Sequence, residues 1–163
     1  MVYLVGVDHQ VQHNGLDMTP ERESATRVFC TFLKLKATSL NISMFAEELN
    51  EDALCRSRAS IAIVRDVANR LGLKHLYCDP NCRERKELGS NNDLDRREQF
   101  WLSRLEPHLD SETILFVCGA GHLESFQKKL FDKGVKAEIL PEQYGVGLPS
   151  LVIMEKSGVF LDL

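Results

Sequence analysis

The chain has 163 residues, 44% hydrophobic and 27% charged, which suits one soluble domain able to bury a sizeable core. Its net charge of -4 and pI near 5.7 give no basic footprint for nucleic acid or an anionic membrane. No run approaches the ~18 apolar residues of a membrane span, and the first residues carry no basic, apolar or small-residue pattern of a secretory signal, so a cytoplasmic protein is expected. The five cysteines are odd in number and mostly lie in apolar patterns, as reduced core thiols do.

Residues 3–9 (YLVGVDH) read as a buried strand that ends on Asp8 and His9. Asn14-Gly15 marks a turn, and Thr19-Pro20-Glu21 has the cap, first-turn proline and acid of a helix start. Apolar residues at Ala25, Val28, Phe29, Phe32, Leu33 and Leu35 predict a helix over 20–36. Residues 41–46 read as a second strand, ending in Glu47-Glu48. A helix beginning at 50–52, with Ile61, Val64, Val67, Ala68 and Leu71 inward, stops at Gly72.

A third strand over 73–78 delivers Asp79. Residues 81–93 lose all periodicity, and mixed charges crowd 83–98. Such a segment is a solvated surface or, functionally, a lid. Helical spacing resumes over 94–105, a fourth strand over 111–118 is followed by Gly119-Ala-Gly121-His122, and a helix over 123–133 turns Phe126, Leu130 and Phe131 inward to Gly134. A strand over 135–140, a loop over 143–149 and a hairpin of 151–154 with 159–161 complete the chain. Alternating strands and helices predict a single three-layer α/β domain: a mostly parallel sheet of five to six strands with helices on both faces.

Ligands of such sheets bind beyond the carboxyl ends of the strands. There the pattern places Asp8, His9, Glu47, Glu48, Asp79 and His122. Two imidazoles and a carboxylate are the donor set of a divalent metal with open positions for water and substrate. Gly6 and Gly119 precede the histidines in two Gly-x-x-His units, where glycine lets backbone approach a ligand closely. Gly119 to Gly121 also open a helix, whose free N–H groups suit an anionic substrate group. Taken singly, His9 and His122 are ordinary hydrogen-bonded histidines, Glu47-Glu48 a helix start and Asp79-Pro80 a turn; together they define a candidate site.

The motif order resembles that of the Tiki/TraB-like superfamily, which includes erythromycin-esterase-like and ChaN-like proteins. The resemblance runs through Gly6-x-x-His9, Glu48-Leu49-Asn50, the Arg97-Glu98-Gln99-Phe100-Trp101 helix, Gly119-x-x-His122 and the helix, Gly134 and strand beyond, across residues 2–140. Asn50 stands where the family usually has an acid. The resemblance implies metal-dependent peptidase activity, ester hydrolysis or haem binding, according to branch.

The resulting expectation is a metal-dependent hydrolase of peptide or ester bonds. His9, His122 and Glu48 (or Glu47) would hold manganese, cobalt or zinc, and Glu47 or Asp8 would act as base. Arg97 would bind a substrate anion or developing oxyanion, with Gly6, Gly119 and Gly121 lining the ligand. A metal-free version uses His9 as base and Glu48 to orient it. The alternatives are a non-catalytic small-molecule or haem-binding protein using the same crevice, and a partner-binding protein docking through residues 83–98.

Overall fold

A computed structural model describes residues 1–15, 19–89 and 93–144. Five strands form one wholly parallel sheet: β1 (Val2–Val7), β2 (Met44–Glu47), β3 (Lys74–Tyr77), β4 (Ile114–Gly119) and β5 (Ala137–Tyr144). Their order across the sheet is β3-β2-β4-β1-β5. β4 is therefore central, and its last residue lies between the ends of β1 and β2. Val7 pairs with Gly119 and Glu47 with Val117, so the three strands finish nearly level.

Among the described residues the α-helices are α1 (Pro20–Ser39), α2 (Glu51–Arg56), α3 (Ile63–Leu71), α4 (Cys82–Glu87), α5 (Leu94–Leu105) and α6 (Leu123–Asp132). On one face of the sheet, Phe29, Phe32 and Leu33 of α1 and Val64, Val67 and Ala68 of α3 pack with Val5, Val7, Phe45, Leu115 and Val117. On the other, Trp101, Leu102 and Leu105 of α5 and Phe126 and Leu130 of α6 pack with Leu4, Met44, Ala46, Phe116 and Cys118. The two-residue period of the strands produces this division, since successive side chains leave on opposite faces. The expected three-layer α/β domain is present.

Local signals account for the helix ends. Thr19 accepts from Arg22 N–H ahead of Pro20, and α3 stops at Gly72, which has φ +68°. The single helix expected between residues 50 and 72 is instead two. Arg58 sits at φ +48° and the chain crosses from Ser57 to Ala62 before α3 begins, so Ile61 lies outside the helix and is exposed. Leu35, Leu71 and Phe131, expected inward, are also exposed.

Residues 81–93 are not wholly irregular: Asn81 and Glu84 form a capping box that starts α4. Arg85 then pairs with Asp79, and Arg104 of α5 with Glu84 at 2.6 Å, fastening α4 to its surroundings. β5 runs on to Tyr144, through the start of the expected loop, and the proposed hairpin lies outside the described residues. Cys78 and Cys118 are buried, which pushes both thiols up and keeps them protonated, while Cys55 and Cys82 are exposed rather than in the core. No described helix is long and apolar enough to cross a membrane.

Candidate functional site

Beyond the level ends of β1, β2 and β4, His9, Glu48 and His122 meet around Gly119. His9 Nε2 lies 3.7 Å from Oε1 of Glu48, and His122 Nε2 lies 3.5 Å from the same oxygen. A methyl group placed on Gly119 would stand 3.2 Å from His9 Nε2, 3.4 Å from Glu48 Oε2 and 3.6 Å from His122 Cδ2. The absent side chain thus gives His9 its room beside Gly119, while Glu48 and His122 would stand at ordinary contact distance. Gly119 also has φ -57°, so space rather than backbone conformation requires glycine here.

Each imidazole is held by its other nitrogen. After β1 the chain makes a 3-10 turn, His9–Val11, started by Asp8, whose side chain accepts from Gln10 N–H. That turn brings Gln12 back beside His9, and Nδ1–H donates to the Gln12 Oε1 at 2.7 Å. His122 closes a second 3-10 turn, Ala120–His122, and its Nδ1–H donates to Oε1 of Glu98 on α5 at 2.8 Å. Ser125 Oγ donates to the same oxygen at 2.6 Å, and Lys129 Nζ lies 3.6 Å from the other. The Glu98 hydrogen bond outweighs desolvation and, with the charge of Glu48 helping, raises the His122 pKa above 6.5. With both Nδ1 atoms committed, both Nε2 atoms face Glu48.

Glu48 is almost wholly buried, at 1% side-chain exposure, and both oxygens have donors. Oε1 receives Arg97 Nη2 at 2.6 Å and Oε2 receives Gly119 N–H at 2.8 Å. Arg97 in turn donates to Asp79 Oδ1 from Nη2 at 2.7 Å and from Nε at 3.1 Å. Asp79, expected only as a strand-end acid, also accepts from Arg85, Asn50 Nδ2 and Trp101 Nε1. Asn50 uses its oxygen to cap α2 while its amide nitrogen joins this network, a double role an acid in its place could not perform.

Several candidate residues stand elsewhere. Glu47 shares the face of Phe45, two residues back, so it points beneath the cluster. It is fully buried, accepts from His75 Nε2 at 2.8 Å and from Gln12 Nε2 at 3.1 Å, and is raised by desolvation. It therefore does not face the site as a ligand or base. Asp8 is spent as the cap of its turn. Gly6 faces Ala120 and Leu123 rather than a ligand: a methyl there would lie 2.9 Å from Leu123 Cδ1 and 3.1 Å from Ala120 Cα. Gly121 has open space above it. Arg97 reaches the cluster, but its Nε and Nη2 are engaged by Asp79 and Glu48 rather than left for a substrate anion.

In the donor set His9, Glu48 and His122, both oxygens of the carboxylate already accept hydrogen bonds. Glu48 already carries the guanidinium of Arg97 on Oε1 and an N–H on Oε2, so an ion would have to displace a buried ion-pair partner or share its oxygen. Among the described residues, no three His, Cys, Asp or Glu side chains are grouped to hold one.

The fold and cluster together define a parallel α/β protein with a two-histidine, one-carboxylate centre at its strand ends. No family model matches the chain, and no curated protein or solved structure is detectably similar to it.

Proposed function

We propose that the chain is a hydrolase of ester or amide bonds in which His9 accepts a proton and His122 donates one, without a metal. The observation that carries this reading is the pairing of two imidazoles, each pinned at Nδ1 by a different kind of partner, across one carboxylate oxygen. His9 is held by an uncharged amide and is 52% exposed at its side chain, whereas His122 is held by a carboxylate and is 11% exposed. Environments that differ in this way assign a base and an acid.

In this mechanism a water molecule enters beside His9 and gives a proton to Nε2 as its oxygen forms a bond to the carbonyl carbon. The tetrahedral intermediate collapses, the bond from carbon to the leaving oxygen or nitrogen breaks, and His122 delivers its Nε2 proton to the leaving group. Solvent returns a proton to His122 and accepts the one on His9. Glu48 stabilises the imidazolium formed during the cycle, and Arg97 holds Glu48 in place through their ion pair.

The test is hydrolysis of a panel of activated esters and peptides by the chain after chelation, beside His9→Ala and His122→Ala. Turnover that survives chelation and is lost in both variants is expected. Turnover restored only by manganese, cobalt or zinc would replace this reading with the metal-dependent one, and turnover unchanged in the variants would move the activity elsewhere.

A further inference from the structure

Beneath the cluster runs a second chain of hydrogen bonds. His75 Nε2–H, from β3, donates to Glu47 Oε1 at 2.8 Å. Gln12 Nε2–H donates to Glu47 Oε2 at 3.1 Å, and Gln12 Oε1 accepts from His9 Nδ1–H at 2.7 Å. Glu47 and Gln12 are both fully buried, and the His75 side chain is 9% exposed. The chain thus links the partly covered edge strand β3 to the most exposed member of the site.

Donor and acceptor chemistry makes this chain directional. An ionised Glu47 accepts only and so requires N–H groups from both neighbours, whose hydrogen bonds oppose the rise that burial gives its pKa. Gln12 must then turn its amino group down to Glu47 and its carbonyl up to His9. A carbonyl accepts only, so the His9 proton sits on Nδ1 and Nε2 presents its lone pair to the cluster. Turning the Gln12 amide over would set its carbonyl against the carboxylate and its amino group against His9 Nδ1.

We propose that Glu47 and Gln12 are positioning residues that fix the tautomer of His9, with His75 anchoring Glu47 from the sheet edge. Glu47 thereby acts on the chemistry through two hydrogen bonds without touching a substrate. This rests on the reading of His9 as the proton acceptor only for its effect on turnover; the tautomer is a property of the resting protein.

The experiment is 15N-detected NMR of the histidine rings at about pH 8, where an ordinary imidazole is neutral, on the wild-type chain and three variants. Wild type is expected to show His9 protonated at Nδ1. In Glu47→Gln, His75 still donates to the new amide oxygen, the new amino group faces Gln12, Gln12 turns over, and His9 moves its proton to Nε2. Exchanging the pair, Gln12→Glu with Glu47→Gln, restores an acceptor below both N–H groups and returns the proton to Nδ1. Where turnover is measurable, it falls with Glu47→Gln by about 10²–10⁴-fold in kcat, the range for a lost orienting partner or a wrong tautomer, and recovers in part in the exchanged pair.

A wild-type His9 protonated at Nε2, a Glu47→Gln protein that keeps the Nδ1 proton, or an exchanged pair that fails to restore it would each overturn the proposal. If Glu47→Gln does not fold, Gln12→Met decides: a mixture of tautomers supports the proposal, and Nδ1–H alone overturns it. Altered tautomers in a protein that hydrolyses nothing would leave the positioning role standing and remove the hydrolase reading.

Discussion

Oε1 of Glu98 accepts from Nδ1 of His122 at 2.8 Å, joining the middle of α5 to the turn that follows β4, with both side chains buried. The pair has a definite consequence for stability. Because the folded protein raises the pKa of His122, chiefly through this bond, folding favours the protonated imidazole. That contribution is complete below the unfolded value of about 6.5 and is lost as pH rises through the higher folded value. Glu98→Gln is expected to lower the His122 titration midpoint in NMR. Its loss of stability relative to wild type, measured by urea unfolding, should be greatest in acid and shrink as pH passes the wild-type midpoint. A difference independent of pH would show that Glu98 contributes packing rather than charge.

Arg97 is the only cation hydrogen-bonded to Glu48 among the described residues, and it also bonds Asp79, with the three side chains 15%, 1% and 5% exposed. Removing one partner of a buried ionic network costs about 3–5 kcal/mol when the charge left behind is neither solvated nor paired; here Glu48 loses its cation, while Asp79 keeps Arg85. Arg97→Met should therefore lose that much in chemical denaturation. Arg97→Lys should lose less but still fall short of wild type, since an ammonium cannot reproduce the fork that reaches both acids. Wild-type stability in Arg97→Met would mean the network is not formed in solution.

The sequence carried the architecture because its signals are periodic. Strand β1 and the core positions Phe29, Phe32 and Phe126 announce themselves by spacing, and Trp101 stands at helical spacing on α5. The two Gly-x-x-His units and the Glu47-Glu48 pair were legible as strand ends for the same reason. Which of the two acids faces the cluster depends on strand parity, and a one-residue uncertainty in β2 reverses it. Glu98 was visible only as part of the Arg97-Glu98 motif, with nothing to show that α5 aims it at His122. Gln12 and His75 gave no signal, because an amide and a lone imidazole acquire meaning only from neighbours 35 and 28 residues distant along the chain.

The start of α4 gives a local test of the segment that lacked periodicity. Asn81 accepts from the backbone N–H of Arg83 and Glu84, while Glu84 accepts from Asn81 N–H at 2.9 Å. Asn81→Ala removes the side-chain half of the box and should cost about 1 kcal/mol. Hydrogen exchange should rise first at Arg85 and Leu88, whose N–H groups close the helix onto Asn81 and Glu84. Equal exchange before and after the substitution would mean that α4 is held by Arg85 and Arg104 rather than by its cap.

Gly119→Ala separates the site from the fold most cleanly. At φ -57° alanine meets no backbone strain, and replacing glycine at a compatible position adds about 0.4–1 kcal/mol by restricting the unfolded chain. The added methyl, however, occupies the space between His9, Glu48 and His122, at 3.2 Å from the His9 ring nitrogen. His9 is the member free to move, being half exposed and fixed by one amide, whereas Glu48 and His122 are packed and multiply bonded. The expected result is a protein whose unfolding midpoint stays near that of wild type, whose His9 ring resonances shift, and whose turnover falls, by less than the ~10²-fold that a full 1 Å misplacement of a reacting group costs. Full turnover with unchanged His9 resonances in Gly119→Ala would mean that His9 does not contact this position in solution.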